Sequence, residues 1–291
     1  MKPASFDYVA ARSIDEAVAT LVRGGGEAKL LAGGQSLVPM LNFRLVQPAI
    51  LVDINRVPGL ARVAKASGGL RIGALTRHRT VETSPVIAER FPVLAAAMTH
   101  VAHLAIRNRG TIGGSLAHAD PAAEWPMLAL LLDARIATVS PSGTRTIAAK
   151  DFFLGALTTA LDAAEIVTEV ELPAIAPGMG WGFEELARRQ GDFAIAAVCV
   201  LVAASGDRCT EARIALVGGG ETARRAAAAE ALLRDQRVTP ETIAAAARAV
   251  RDMATPSTDL HASADYRRHV LEVLTRRALE AASARASGAT R

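Results

Sequence analysis

The apolar positions of this chain change period several times, and each change marks an element. Ile14, Ala17, Val18 and Leu21 recur at helical spacing, with Ser13 placed to cap the helix and Gly24-Gly25-Gly26 to end it. A strand is expected before that helix, and Ala28–Leu31 and Ile50–Ile54 read as short strands after it. Pro58-Gly59 then turns the chain, and a second unit begins near Leu60. It opens with a strand at Leu70–Ala74, and residues 76–104 read as mostly helical, interrupted at Pro85 and Pro92. A helix is expected over Pro121–Leu132, with Asp120 as its N-cap and Pro121 in its first position. Arg135–Val139 and Thr144–Ala148 flank Pro141-Ser142-Gly143 as a hairpin, and Glu165–Leu172 is a further strand.

The run Pro173-Ala174-Ile175-Ala176-Pro177-Gly178 punctuates the pattern and divides 1–176 from 177–291. Beyond it, residues 181–187, 194–204 and 211–217 have strand character. Ala- and Arg-rich helices follow at 222–234, 240–252 and 264–284, and the tail from Arg285 to Arg291 is expected to fray.

Composition narrows the function classes. The chain has 291 residues, 51% apolar and 4% aromatic, enough for two or three packed units. No apolar run is long enough to cross a bilayer, and the N-terminus lacks the apolar core of a secretory signal, so a cytoplasmic location is expected. The net charge of +4 owes much to Arg on the C-terminal helices; without interleaved aromatics it reads as a solvated face, with no nucleic-acid partner. Only Cys199 and Cys209 are present, too few thiolates for an iron–sulfur cluster. Cys199 lies in an apolar run and reads as core, Cys209 as more exposed, and no disulfide is expected between them.

Two glycine pairs carry the candidate chemistry: Ala32-Gly33-Gly34-Gln35-Ser36-Leu37 and Thr111-Ile112-Gly113-Gly114-Ser115-Leu116. Paired glycines allow positive φ and close ligand approach, and successive exposed N–H groups form an anion-binding concavity. Two of them suggest two linked phosphates held between lobes. Neither segment is a G-x-G-x-x-G fingerprint or a phosphate-binding lysine loop. The run His118-Ala119-Asp120-Pro121 follows the second pair, and Glu124 lies one helical turn on, where a carboxylate suits a sugar diol. His100 and His103, read at i and i+3 on one helix, lack a third metal ligand and are read as packing or solvent-facing residues. Gly218-Gly219-Gly220 reads as a structural turn, and no hydrolytic nucleophile motif is present.

Together these segments resemble a flavoprotein family, the FAD-binding (medium) subunits of molybdenum hydroxylases such as carbon monoxide dehydrogenase, a module also found within xanthine dehydrogenase. Arg107-Asn108-Arg109-Gly110 and Arg188-Arg189-Gln190-Gly191-Asp192-Phe193-Ala194 extend the resemblance along nearly the whole chain. It implies an α+β fold: a two-lobed, vanillyl-alcohol-oxidase-like (PCMH-type) FAD-binding domain over 1–176, with lobes of about 1–57 and 58–176. A small C-terminal α+β domain with a three-stranded sheet and helices would occupy 177–291. By the same resemblance, Ala32–Ser36 and Thr111–Ser115 bind the pyrophosphate through main-chain N–H groups, Leu37 and Asp120 border the cofactor, and Glu124 takes the place of an Asp that contacts FAD. Val167 matches an apolar flavin contact and Phe193 lies near the isoalloxazine; Glu184 departs from the family, standing where xanthine dehydrogenase has a Lys.

The resemblance also implies partners: a large subunit with the molybdenum cofactor and a small subunit with two [2Fe–2S] clusters, in a dimer of heterotrimers. FAD on this chain would pass electrons to NAD⁺, oxygen or a quinone, with no catalytic side chain required. Two other readings stay open at this level, a stand-alone FAD-dependent oxidoreductase and a non-catalytic nucleotide-binding module.

Overall fold

The computed structural model describes residues 2–66 and 68–286 and has three layers of core. The first lobe is built from β1 (Asp7–Ala10), α1 (Ile14–Arg23), β2 (Ala28–Leu31), α2 (Leu37–Asn42) and β3 (Ile50–Asp53). All three strands run parallel in the order β1-β3-β2, which puts the C-terminal ends of β2 and β3 side by side. Ser13 caps α1 as expected, its hydroxyl accepting from the Glu16 N–H at 3.1 Å. The buried stripe Ala17, Val18 and Leu21 packs against Val52 and Ile54.

The second lobe contains β4 (Val63–Lys65), β5 (Leu70–Gly73), α3 (His78–Thr83), α4 (Pro85–Arg90), α5 (Pro92–Met98), α6 (Leu104–Arg107), α7 (Ile112–His118) and α8 (Glu124–Leu131). It is completed by β6 (Arg135–Ser140), β7 (Gly143–Ala148), α9 (Ala149–Phe152), β8 (Phe153–Gly155), β9 (Thr158–Thr159) and β10 (Ile166–Leu172). Its main sheet is antiparallel in the order β4-β5-β10-β6-β7. Pro85 and Pro92 break the helical stretch where expected, each opening a new helix at a position whose N–H is not needed.

Four expectations for local structure are corrected. Helix α8 begins at Glu124, not Pro121, because Pro126 would lose a bond inside a longer helix but sits harmlessly in the first turn of this one. Asp120 instead closes a local turn, its Oδ1 accepting from the Ala122 N–H at 2.8 Å. His100 and His103 do not share a helix: α5 ends at Met98, Ala102 is left-handed at φ 45°, and His103 caps α6. The helix expected from 222 starts at Ala227, since Arg224–Arg225 pair with Ala215 and Leu216 as an added edge strand. Finally Arg285 is still helical, while 287–291 lie outside the described residues.

The C-terminal part comprises β11 (Gly180–Ala187), β12 (Ala194–Ser205), β13 (Arg208–Val217), β14 (Arg224–Arg225), α10 (Ala227–Leu233), α11 (Pro240–Met253) and α12 (Ala264–Ala286). The three long strands form an antiparallel meander, with the two-residue β14 on its edge. Alternate residues of β12 serve different cores. Ala196, Val198, Val200 and Val202 face the helices, while Ala197, Cys199 and Leu201 join the core of the second lobe. Cys209, expected to be more exposed, is fully buried among the helix-facing residues, and its main chain pairs with Gln236 and Asp235. No helix among the described residues is long and apolar enough to cross a membrane.

Candidate functional site: a cleft between two glycine segments

A cleft of about 570 Å³ opens between the lobes. Ala32, Gly33, Gly34, Gln35, Ser36 and Leu37 line one wall. Thr111, Gly113, Gly114, Ser115, Asp120, Glu124, Val167 and Phe193 also line it. Ile112 turns away and is fully buried in the lobe core. The walls meet at the base: a methyl group on Gly33 would collide with the Arg109 carbonyl and the Gly110 Cα.

The two glycine segments are different devices. The first follows the parallel strand β2 and leads into α2, with Gly34 at φ 73°. Among the described residues, no acceptor within the chain engages the N–H groups of Gly33, Gly34, Gln35, Ser36 or Leu37. Gln35 Nε2 donates to the Gly33 carbonyl at 2.9 Å, which turns the Gly34 N–H of that same trans peptide the opposite way. This is a preformed concavity of unpaired donors, suited to an anion.

The second segment is the first turn of α7, and its glycines do not need positive φ. Its donors are already spent: Gly113 N–H on Ala74 O, Gly114 N–H on Thr111 Oγ1 and Ser115 N–H on Thr111 O. Gly113 is glycine because a Cβ would lie 2.5 Å from the Ala74 methyl, and Gly114 because one would lie 2.8 Å from Thr111 Oγ1. What this wall offers a ligand is a surface without side chains, together with the Ser115 hydroxyl. The expectation that both segments present free main-chain N–H groups therefore holds for the first alone.

Titratable groups gather around Glu124, which lines the cleft with Asp120, and extend behind it to Glu185 and His100. Burial pushes the Glu124 carboxyl up to about 7, and nearby Asp120 adds to the effect. Glu185, on β11 from the C-terminal sheet, is pushed to about 8 by burial and by Glu124. Its Oε2 is buried without a hydrogen-bond partner, and its Oε1 lies 3.8 Å from His100 Nδ1. Neighbouring Glu184 is half-buried on the same strand. Phe193, 66% exposed, stands at the rim beside Asp192.

Sequence reasoning did not single out His78, Val101 or Leu157, which also line the cleft, nor Asn55 and Arg77 behind it. Nothing in their neighbourhood marks them as cleft residues; Asn55 and Arg77 pair across 22 residues and His78 pairs with Trp125 across 47. Gly218–Gly220 are not among the cleft-lining residues; Gly218 packs on the Ile195 carbonyl and Gly219 on Leu216 and Leu271. Among the described residues no group of three or more His, Cys, Asp or Glu is placed to hold a metal ion.

Comparison with known proteins matches residues 4–175 to the FAD binding domain in molybdopterin dehydrogenase and residues 181–282 to the CO dehydrogenase flavoprotein C-terminal domain. The 6-hydroxypseudooxynicotine dehydrogenase complex subunit alpha of Paenarthrobacter nicotinovorans is 46% identical, covering 98% of this chain and 97% of that protein. Carbon monoxide dehydrogenase from Hydrogenophaga pseudoflava superposes with a TM-score of 0.96 at 42% identity, over 98% of this chain and 99% of the other. Quinoline 2-oxidoreductase from Pseudomonas putida 86 gives 0.94 at 39% identity, over the full length of both chains.

Proposed function

The chain belongs to the FAD-binding medium subunits of the molybdenum hydroxylases, and on that premise we propose that it is the electron outlet of a cytoplasmic, three-subunit dehydrogenase. FAD supplies the ability to take electrons singly and release them as a pair. The reading assigns substrate oxidation to a molybdenum-bearing large subunit and delivery of electrons to a small subunit with two [2Fe–2S] clusters. Two such heterotrimers pair, and the acceptor is NAD⁺, oxygen or a quinone.

The observation that carries the cofactor's placement is the run of five unengaged N–H groups from Gly33 to Leu37, facing the side-chain-free wall of Gly113 and Gly114. The first segment holds the diphosphate by its main chain, and the Ser115 hydroxyl binds from the opposite wall. The Glu124 carboxyl accepts hydroxyl groups of the cofactor's sugar portions, Val167 packs on the flavin, and Phe193 covers it at the rim. The cofactor domain is 1–176, and 177–291 forms the second domain.

The two cysteines are both fully buried, and burial pushes the Cys199 thiol far up, so neither is available as a cluster ligand. This supports the reading in which electrons reach the flavin from clusters on another polypeptide. The test is purification of the native complex: FAD, molybdenum and four irons per copy of this chain are expected. A complex with flavin but without molybdenum and iron, reduced directly by a small alcohol or aldehyde, would replace this reading with a self-sufficient oxidase or dehydrogenase.

A further inference from the structure

Behind the first glycine segment lies a polar chain of four side chains. Tyr8 Oη donates to Asp53 Oδ2 at 2.6 Å. Asp53 Oδ1 accepts both the Asn55 N–H at 2.8 Å and Asn55 Nδ2 at 2.6 Å. Asn55 Nδ2 also donates to the Ala32 carbonyl at 2.8 Å, and Asn55 Oδ1 accepts from Arg77 Nη2 at 2.6 Å. Arg77 Nη1 donates in turn to the Arg109 carbonyl, the group against which Gly33 is packed. The partners fix the orientation of the Asn55 amide, since a carboxylate and a carbonyl demand the NH₂ and a guanidinium demands the oxygen.

This chain has two properties that packing alone does not require. Among the described residues, Arg77 to Asn55 is the one hydrogen bond that crosses from residues 2–57 to the remainder of the protein. It also acts on a specific peptide group. Because Asn55 holds the Ala32 carbonyl, the Gly33 N–H on the same trans peptide is turned the opposite way, as the first donor of the unpaired run.

We propose that Asn55 and Arg77 are positioning residues for the cofactor diphosphate: Asn55 aims the Gly33 N–H, and Arg77 locks Asn55 and the two cleft walls in register. The inference rests on the FAD reading of the cleft. Arg77 is suited to this because its planar fork meets two acceptors at once. Asp53 offsets its charge, while burial and Arg109 act against it.

The experiment uses the full chain, stripped of flavin, with FAD affinity measured by fluorescence quenching at a temperature where every variant is folded by circular dichroism. Under that condition a loss of global stability does not enter the dissociation constant. Asn55→Ala and Arg77→Met are each expected to weaken FAD binding about tenfold, the effect of one misplaced charge-assisted hydrogen bond. Arg77→Lys, which keeps the charge but cannot grip both acceptors, is expected to recover only part of the loss. Affinities within twofold of wild type for Asn55→Ala and Arg77→Lys overturn the proposal, as does complete recovery by Arg77→Lys. Should Arg77→Met not fold, the other two variants decide. Failure of the wild-type chain to bind FAD would instead overturn the cofactor reading itself.

Discussion

Trp125 Nε1 donates to His78 Nδ1 at 2.9 Å in the interior of the second lobe, and this bond settles which imidazole nitrogen carries hydrogen. With Nδ1 as acceptor, the neutral ring keeps its proton on Nε2, and the Cδ2–Nε2 edge of the ring packs against Gly110 at the base of the cleft. Burial, helped by the charges of Arg77 and Arg107, holds the ring down to about 4. The same residue's main-chain N–H donates to the Gly110 carbonyl at 3.0 Å, so His78 supports the loop that enters the second glycine segment.

Replacing Trp125 by Phe leaves His78 Nδ1 buried without a donor. A loss of about 1–3 kcal/mol is expected by chemical denaturation. The cost should be smaller when His78 is already Phe, because the orphaned acceptor is then gone. A double-mutant cycle with no coupling would show that the bond does not stabilise the fold.

Gly33→Ala forces a methyl group into the Arg109 carbonyl and the Gly110 Cα, both main-chain atoms with little room to yield. We expect the visible flavin absorbance per protein to fall severalfold, with a stability loss of about 1–3 kcal/mol. Gly34→Ala acts differently, through its positive φ, with a cost of about 1 kcal/mol and a smaller loss of flavin.

Glu185 has a raised folded pKa of about 8 against an ordinary 4.5, so its contribution to stability has a definite sign. The neutral carboxyl is tolerated in the apo-protein below the ordinary value, and that tolerance is lost as pH rises through about 8. Glu124 acts in the same direction through about 7. Glu185→Gln, neutral throughout, should flatten the decline of the apo-protein's melting temperature between pH 5 and 8 relative to wild type, by roughly 2–4 °C. Parallel curves for the two proteins would place the ionised carboxylate in a better-solvated environment than the buried one described above.

Phe193 is 66% exposed, and little burial is lost when it is truncated. Phe193→Ala should leave the melting temperature within about 1–2 °C of wild type, since surface changes cost little. If its ring covers the flavin at the rim, the variant's flavin absorption and fluorescence will shift toward those of free FAD. Unaltered spectra would remove Phe193 from the site.

The sequence carried the cleft further than it carried the local geometry. The glycine segments are contiguous, so their spacing exposed them, and Pro85 and Pro92 marked breaks in the helical stretch because a proline ring is not accommodated in a helix interior. Pro126, which is confined to the first turn of a helix, would have moved the start of α8 toward Glu124; Asp120-Pro121 was a stronger local signal and misled. That Gly113 and Gly114 had already committed their N–H groups was not legible, because the acceptors Ala74 and Thr111 are set by tertiary packing and capping. Cys209 was misjudged because its short hairpin hides it under Gln236. Asn55 and Arg77 were invisible for a simpler reason. An Asn and an Arg separated by 22 residues carry no pattern until a fold brings them together.

Strand β12 presents one face to the C-terminal helices and the other to the second lobe. Its consequence concerns how this family can be recombined. The two family matches end at residue 175 and begin again at 181, but Ala197, Cys199 and Leu201 remain part of a core begun more than a hundred residues earlier. A chimera that exchanges the C-terminal segment with a relative's would therefore inherit half of a foreign interior. It would need Met127, Leu128 and their neighbours to be exchanged along with it.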